Sequence, residues 1–296
     1  MAVRLTGYGF SLHGTRYNAR IWDTAFSGTA TEFDVVKGGI VISYTTDKRN
    51  DRHAAIFGSE ASVRMLVPVG DTTLETFLED LRAAEEGRFW LEITKTLGDT
   101  VVWRGVVVAD ECYETDQGAR FEANISAVDG LALLKERPYL NGGTAIYTGF
   151  NKLTRHLTRC LEQLPHIAWW SGSDPILETS VDWWGDSMTS GGANDPLHLS
   201  NADHSTFYDY FTKGTVDNDA QSCYDVIWHI VQSFGCRIYQ YRGVFVVEQI
   251  PYRSSSTYEY RRYDKSGNFL TNSVRSGTND IDNSADGAKI SYITYD

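Results

Sequence analysis

The stretch His198-Leu199-Ser200-Asn201-Ala202-Asp203-His204 sets two imidazoles and a carboxylate close together. These are ligands that a divalent metal accepts. The stretch has neither the cysteine pairs nor the H-E-x-x-H run that complete a zinc pattern, so it reads as a solvated polar loop. Asp182 and Asp186 flank Trp183-Trp184-Gly185. Two carboxylates beside an aromatic platform are what glycoside hydrolysis uses. Aromatic pairs serve an interface equally well, because they bury a large area with few rotatable bonds. We adopt the interface reading, with Trp169, Trp170, Trp183 and Trp184 as its candidate residues.

Other chemistries lack their signatures. There is no G-x-S-x-G and no phosphate-loop pattern, and Gly7, Gly9 and Gly14 do not have the dinucleotide spacing or a strand ahead of them. The cysteines at 112, 160, 223 and 236 form no C-x-x-C pair. They read as reduced thiols in a protein made in the cytoplasm, two of them (Cys160 and Cys223) on buried helix faces. No catalytic residue, metal or cofactor is assigned.

The 296 residues carry 27 Lys and Arg against 39 Asp and Glu, a net charge of −12 that opposes adsorption to a phosphate backbone. Arg261-Arg262, the densest basic pair, sits among tyrosines and acids. Aromatic content of 13% supplies material for packed cores. No apolar run approaches the length of about 18 residues that a membrane helix needs, and the N-terminus lacks the apolar stretch of a signal peptide.

The elements that must position these groups are mostly strands. Alternation predicts strands over Tyr17–Trp22, Gly39–Tyr44, Ala61–Val67, Arg88–Thr94, Val101–Val108 and Phe121–Val128. One helix interrupts them, over Thr72–Glu86. Thr72 and Glu75 have capping-box spacing, Leu74, Phe77, Leu78 and Leu81 form one face, and Gly87 is the stop. A β-barrel or sandwich with one packed helix follows. Asp129 can cap a short turn at Leu131–Leu134, and Pro138 with Asn141-Gly142-Gly143 marks a boundary. Beyond it lie a helix with Leu153, Leu157, Cys160, Leu161 and Leu164 on one face, and a poorly assignable aromatic stretch from Ala168 to Val216. A helix capped by Asp219 then leads into a hairpin turning at Tyr241-Arg242-Gly243. Tyr258–Tyr263 and Phe269-Leu270 bring strands back. The expected fold is α+β, mainly β. It divides into a barrel domain over 1–137, an α+β domain with an aromatic-rich loop insertion over 138–250, and strands over 251–296 that open a second barrel.

Three stretches bear a resemblance. VVWRGVVVADECYETD with GARFEANISAVDGLALLKERPY, through Trp103-Arg104-Gly105, Tyr113 and Asp129-Gly130-Leu131 to Leu134, resembles the N-terminal part of bacteriophage tail baseplate hub proteins, particularly of Bacteroidetes phages. CYDVIWHIVQSFGCRIYQYRGVFVVEQI and YEYRRYDKSGNFL are similar to later parts of that family. The resemblance implies a tail-tube-like barrel and a virion structural protein without catalysis. Three copies would form a pseudo-hexameric ring around the DNA channel, joining a six-fold tube to a three-fold tip. Implied partners are other copies of the chain, distal tail or tail-tube proteins, and a tail tip, spike or tape-measure protein, with no sequence-specific nucleic-acid binding and no membrane span. An acidic chain suits a lumen through which DNA slides. Free barrel edges are expected to be covered by neighbours in the ring. A six-fold distal tail protein or tube adaptor is the alternative, and a carbohydrate-binding adhesin or tail-associated hydrolase a further one.

Overall fold

The computed structural model describes residues 1–11, 14–46, 54–115, 120–167, 174–181, 195–208, 220–249 and 257–276. The first region is built on strands β1 (Ala2–Phe10), β2 (Arg16–Asp23), β3 (Thr31–Thr46), β4 (Phe57–Pro68), β5 (Phe89–Lys95), β6 (Thr100–Val107), β7 (Tyr113–Thr115) and β8 (Arg120–Val128). These make one eight-stranded sheet that closes on itself. From β1 the ring runs through β2, β5, β6, β8, β4 and β3, and β3 returns to β1 in parallel. The closing pair, β4 with β8, runs in antiparallel register from Glu60↔Val128 to Pro68↔Arg120. β7 continues beside β8 after β6 has left it. Alternation drives the closure: Ala61, Val63, Met65 and Val67 of β4 all point inward and are buried. A mainly β fold with a closed barrel is therefore present.

Helix α1 (Thr72–Arg82) packs against the barrel through Leu74, Phe77, Leu78 and Leu81, all buried in the core that holds the inward residues of the strands. The face is the one its spacing predicts, but the cap differs. Asp71, one residue earlier, accepts from the Thr73 and Leu74 amides, and Glu75 reaches back to the Gly70 amide. Asp71 wins because its short carboxylate meets two orphan amides at once. The helix ends at Arg82, ahead of Gly87.

Gly7 and Gly9 belong to β1, where no strand was expected. A side chain at Gly7 would meet the Phe33 ring at 2.4 Å, and one at Gly9 would meet Ile40 at 2.8 Å. The glycines make room for bulky neighbours on β3. Strand β3 itself begins at Thr31, ahead of the expected start at Gly39, and a bulge between Val35 and Ile40 interrupts its pairing with β4.

The second region holds β9 (Phe150–Lys152), α2 (Leu153–Leu161), β10 (Leu177–Ser180), α3 (Pro196–Leu199), β11 (Asn201–Asp203), α4 (Cys223–Ser233), β12 (Cys236–Tyr241), β13 (Val244–Gln249), β14 (Thr257–Tyr263) and β15 (Phe269–Ser276). β9 and β11 form a small ribbon, and the other strands form a five-stranded sheet in the order β12-β13-β10-β14-β15. Leu157 and Leu161 of α2, Ile227 and Ile230 of α4, and Ile238, Phe245 and Val247 of the sheet share one core. Ser222 caps α4 by accepting from the Asp225 amide. The expected cap, Asp219, lies outside the described residues. Arg242 and Gly243 both take positive φ, which gives the tight turn expected between β12 and β13.

Strands β14 and β15 belong to the second region. β14 pairs with β10 (Leu177↔Tyr263), so both strands extend the sheet of the second region. The expectation of free barrel edges is corrected in part: among the described residues the β4–β8 pairing joins the two ends that an open sheet would leave exposed, while β7 pairs on one side, with β8.

Candidate functional site

Of the groups weighed for metal or hydrolytic chemistry, His198, Asp203 and His204 lie among the described residues. Trp169, Trp170, Trp183 and Trp184 lie outside the described residues, as do Asp182 and Asp186. His198 stacks on Tyr263 with ring centroids 5.2 Å apart and sets Nε2 2.5 Å from Lys152 Nζ. Burial, then the Lys152 charge, lowers its pKa. His204 sits instead beside Asp203, with Nδ1 3.2 Å from Oδ1. Among the described residues no group of three or more His, Cys, Asp or Glu side chains could hold a metal ion.

What does assemble is a seam between the barrel and the second region. On the barrel side, Trp103 of β6 donates its indole N–H to Ser59 Oγ at 2.9 Å. The Ser59 amide and hydroxyl both donate to Asp129 Oδ2, at 2.6 and 2.8 Å. The Asp129 amide returns to the Ser59 carbonyl at 2.9 Å, and the Leu131 amide donates to Asp129 Oδ1 at 2.9 Å. Asp129 thus caps the following turn, as its position suggests, and also fastens the end of β8 to the start of β4. Burial pushes its carboxyl pKa up to about 6 against the opposing effect of these hydrogen bonds. Gly105 allows the close approach, since a side chain there would lie 2.2 Å from the Val128 carbonyl.

The second region grips the same place. Gln240 of β12 acts as a short piece of β-ladder. Its Oε1 accepts from the Arg104 amide at 2.9 Å, and its Nε2 donates to the Arg104 carbonyl at 2.6 Å. The Ile238 amide donates to the Ala55 carbonyl at 2.8 Å, and the Tyr44 hydroxyl donates to the Gln240 carbonyl at 3.1 Å. Gly243, at the hairpin turn, lies over Val101, where a side chain would clash at 2.5 Å. The Arg104 side chain turns to Glu92, with Nε 2.7 Å from Oε2, and Arg20 joins Glu92 to Asp99. His166 is fully buried nearby, and burial, then the Arg104 charge, lowers its pKa to about 3, so it is neutral. These groups bond to one another, and their effect is to hold the two regions in one arrangement. Sequence reading found Trp103, Arg104, Gly105 and Asp129. It missed Ser59 and Gln240, whose types carry no local signal.

No family model and no curated protein matches the chain. Among solved structures it is similar to the 43 kDa tail protein of prophage MuSo2 from Shewanella oneidensis. The identity is 12% and the TM-score 0.35, over 67% of this chain and 47% of that one. It is also similar to a tail protein from Neisseria meningitidis MC58, at 11% identity and a TM-score of 0.37, over 78% of this chain and 50% of that one. The chain spans about half the length of each.

Proposed function

We propose that the chain is a structural protein of a bacteriophage tail: a baseplate hub that forms a ring around the DNA channel at the distal end of the tube. The supporting observation is the seam. Trp103-Arg104-Gly105, Asp129-Gly130-Leu131 and the Arg242-Gly243 turn, which carry the family resemblance, come from distant parts of the chain and meet in one joint. Motif residues that share one joint are read as parts of one architecture and not as chance matches.

In this reading residues 1–137 are the tail-tube-like unit, and three copies close the ring. Because the barrel is already closed, neighbours meet through side chains and loops, with the Trp pairs at 169–170 and 183–184 as candidate contacts. Partners are other copies of the chain, distal tail or tail-tube proteins, and a tip, spike or tape-measure protein. The chain is made in the host cytoplasm and ends in the virion, and it performs no catalysis. Native mass spectrometry and electron microscopy of the purified chain test the proposal. Three copies are expected. Six would favour the distal-tail reading, and a monomer at every concentration would defeat both. Turnover of peptidoglycan or capsular polysaccharide that Asp182→Asn abolishes would establish the hydrolase reading instead.

A further inference from the structure

The five-stranded sheet of the second region ends differently on its two sides. At β12 the edge is occupied: the Ile238 amide donates to the Ala55 carbonyl, and Ile56 bridges Ile238. At the other end β15 pairs on one side, with β14, in antiparallel register from Thr257↔Ser276 to Tyr263↔Phe269. Beyond that ladder its residues make no backbone hydrogen bond among the described residues. Every second residue of such a strand turns its N–H and C=O away from its partner. Soluble proteins guard an edge of this kind with proline, lysine, short strands or bulges. β15 runs for eight residues, FLTNSVRS, without proline or lysine, and its one charged residue is Arg275. The irregularity in its pairing lies on β14, between Arg262 and Tyr263. Phe269 and Leu270, adjacent in the strand and so on opposite faces of the sheet, are 37% and 38% exposed.

A segment suited to this edge follows in the sequence. Residues 277–296 lie outside the described residues. Their sequence is mostly polar up to Lys289 and then reads Ile290-Ser291-Tyr292-Ile293-Thr294-Tyr295. Ile, Tyr and Thr are types that strands favour. β14 and β15 already run side by side, and consecutive strands tend to be neighbours. Residues 277–289 exceed the about two to five residues of a hairpin loop, so the chain can turn back along β15 without strain. With Ile290 opposite Arg275, Tyr295 comes opposite Leu270, and each face of the sheet receives one Ile and one Tyr.

We propose that β15 is an acceptor edge filled by residues 290–295 of the same chain, paired antiparallel as a sixth strand. The tether holds this segment at an effective concentration of roughly millimolar, above that of separate chains in dilute solution, which favours it over the same segment of a second copy. The paired segment withdraws the edge from other chains, so copies of the protein meet through other surfaces. The inference is independent of the tail reading, since it holds for a ring subunit and for a monomer.

The test measures amide hydrogen exchange of the full chain by NMR, with Tyr292→Pro and Ile293→Pro as variants. The two positions are consecutive, so one of them must direct its N–H at β15, and proline removes that donor. The β15 amides that face away from β14 are expected to be protected in the parent and to exchange about tenfold or more faster in one of the variants. Protection in β13 is expected to stay unchanged, which separates loss of the added strand from loss of the fold. Cross-strand Overhauser contacts between residues 290–295 and 269–276 are expected in the parent and need no variant. The inference is overturned if those contacts are absent, if the outward amides of β15 are unprotected in the parent, or if neither variant changes them. It is also overturned if protection disappears on about a hundredfold dilution, which would assign the strand to a second copy.

Discussion

Asp129→Ala probes the seam at its most buried charge. The carboxylate accepts from the Ser59 amide, the Ser59 hydroxyl and the Leu131 amide. The hydroxyl can turn elsewhere, but the two amides are fixed by the backbone. Each orphaned buried donor costs about 1–3 kcal/mol, so their loss comes to about 2–6 kcal/mol. The charge works in the opposite direction. A carboxyl whose pKa rises from 3.8 to about 6 on folding stabilises the fold while it is protonated. That contribution is fully present below pH 3.8 and is lost as pH rises through 6, and it amounts to about 3 kcal/mol. The parent should therefore exceed the variant most on the acid side, and the gap should shrink by about 3 kcal/mol between about pH 4 and pH 7. Urea unfolding followed by tryptophan fluorescence measures this, with Trp103 bonded to the same serine as a local reporter. A gap that widens with pH would refute the reasoning. It would mean that the three donors stabilise the anion by more than burial penalises it.

Leu78→Asp should unfold the barrel, because Leu78 is buried against it and an unpaired buried carboxylate costs several kcal/mol; a variant that melts like the parent would rule out this packing. Gln240→Ala should cost about 2–3 kcal/mol through the two hydrogen bonds to the Arg104 backbone, and should speed amide exchange in β6, while unchanged exchange there would show that the second region is held by other contacts.

Much of this fold can be read from the sequence, because period-two alternation is strong wherever a strand has one buried face. Six of the barrel strands and the face of α1 follow from it. β1 does not, because Gly7 and Gly9 read as loop residues until Phe33 and Ile40 are seen to fill their places. The closing pairing of β4 with β8 is non-local, and no residue in either strand announces its partner. The cap at Asp71 lies beside a rival, Thr72, and only the backbone geometry decides between them. The seam was half legible. Trp103 and Asp129 stand out by type, whereas Gln240 is one polar residue in an apolar strand until its amide is found on the Arg104 backbone.

The β4–β8 pairing also sets an order of events during synthesis. β1 to β3 leave the ribosome early, yet the ring cannot close until residues 120–128 have emerged to meet β4. Until then β4 presents an unpaired hydrophobic edge, the kind of surface that drives aggregation of nascent chains. Helix α1 lies between these two strands in the chain, and Leu74, Phe77, Leu78 and Leu81 reach the core before β8 does. A chain stalled shortly before residue 120 would expose that edge to chaperones or to other nascent chains. Once residues up to 131 have emerged, the chain has every strand of the ring, together with the Asp129 contacts to Ser59 and Leu131 that fasten its closing pair.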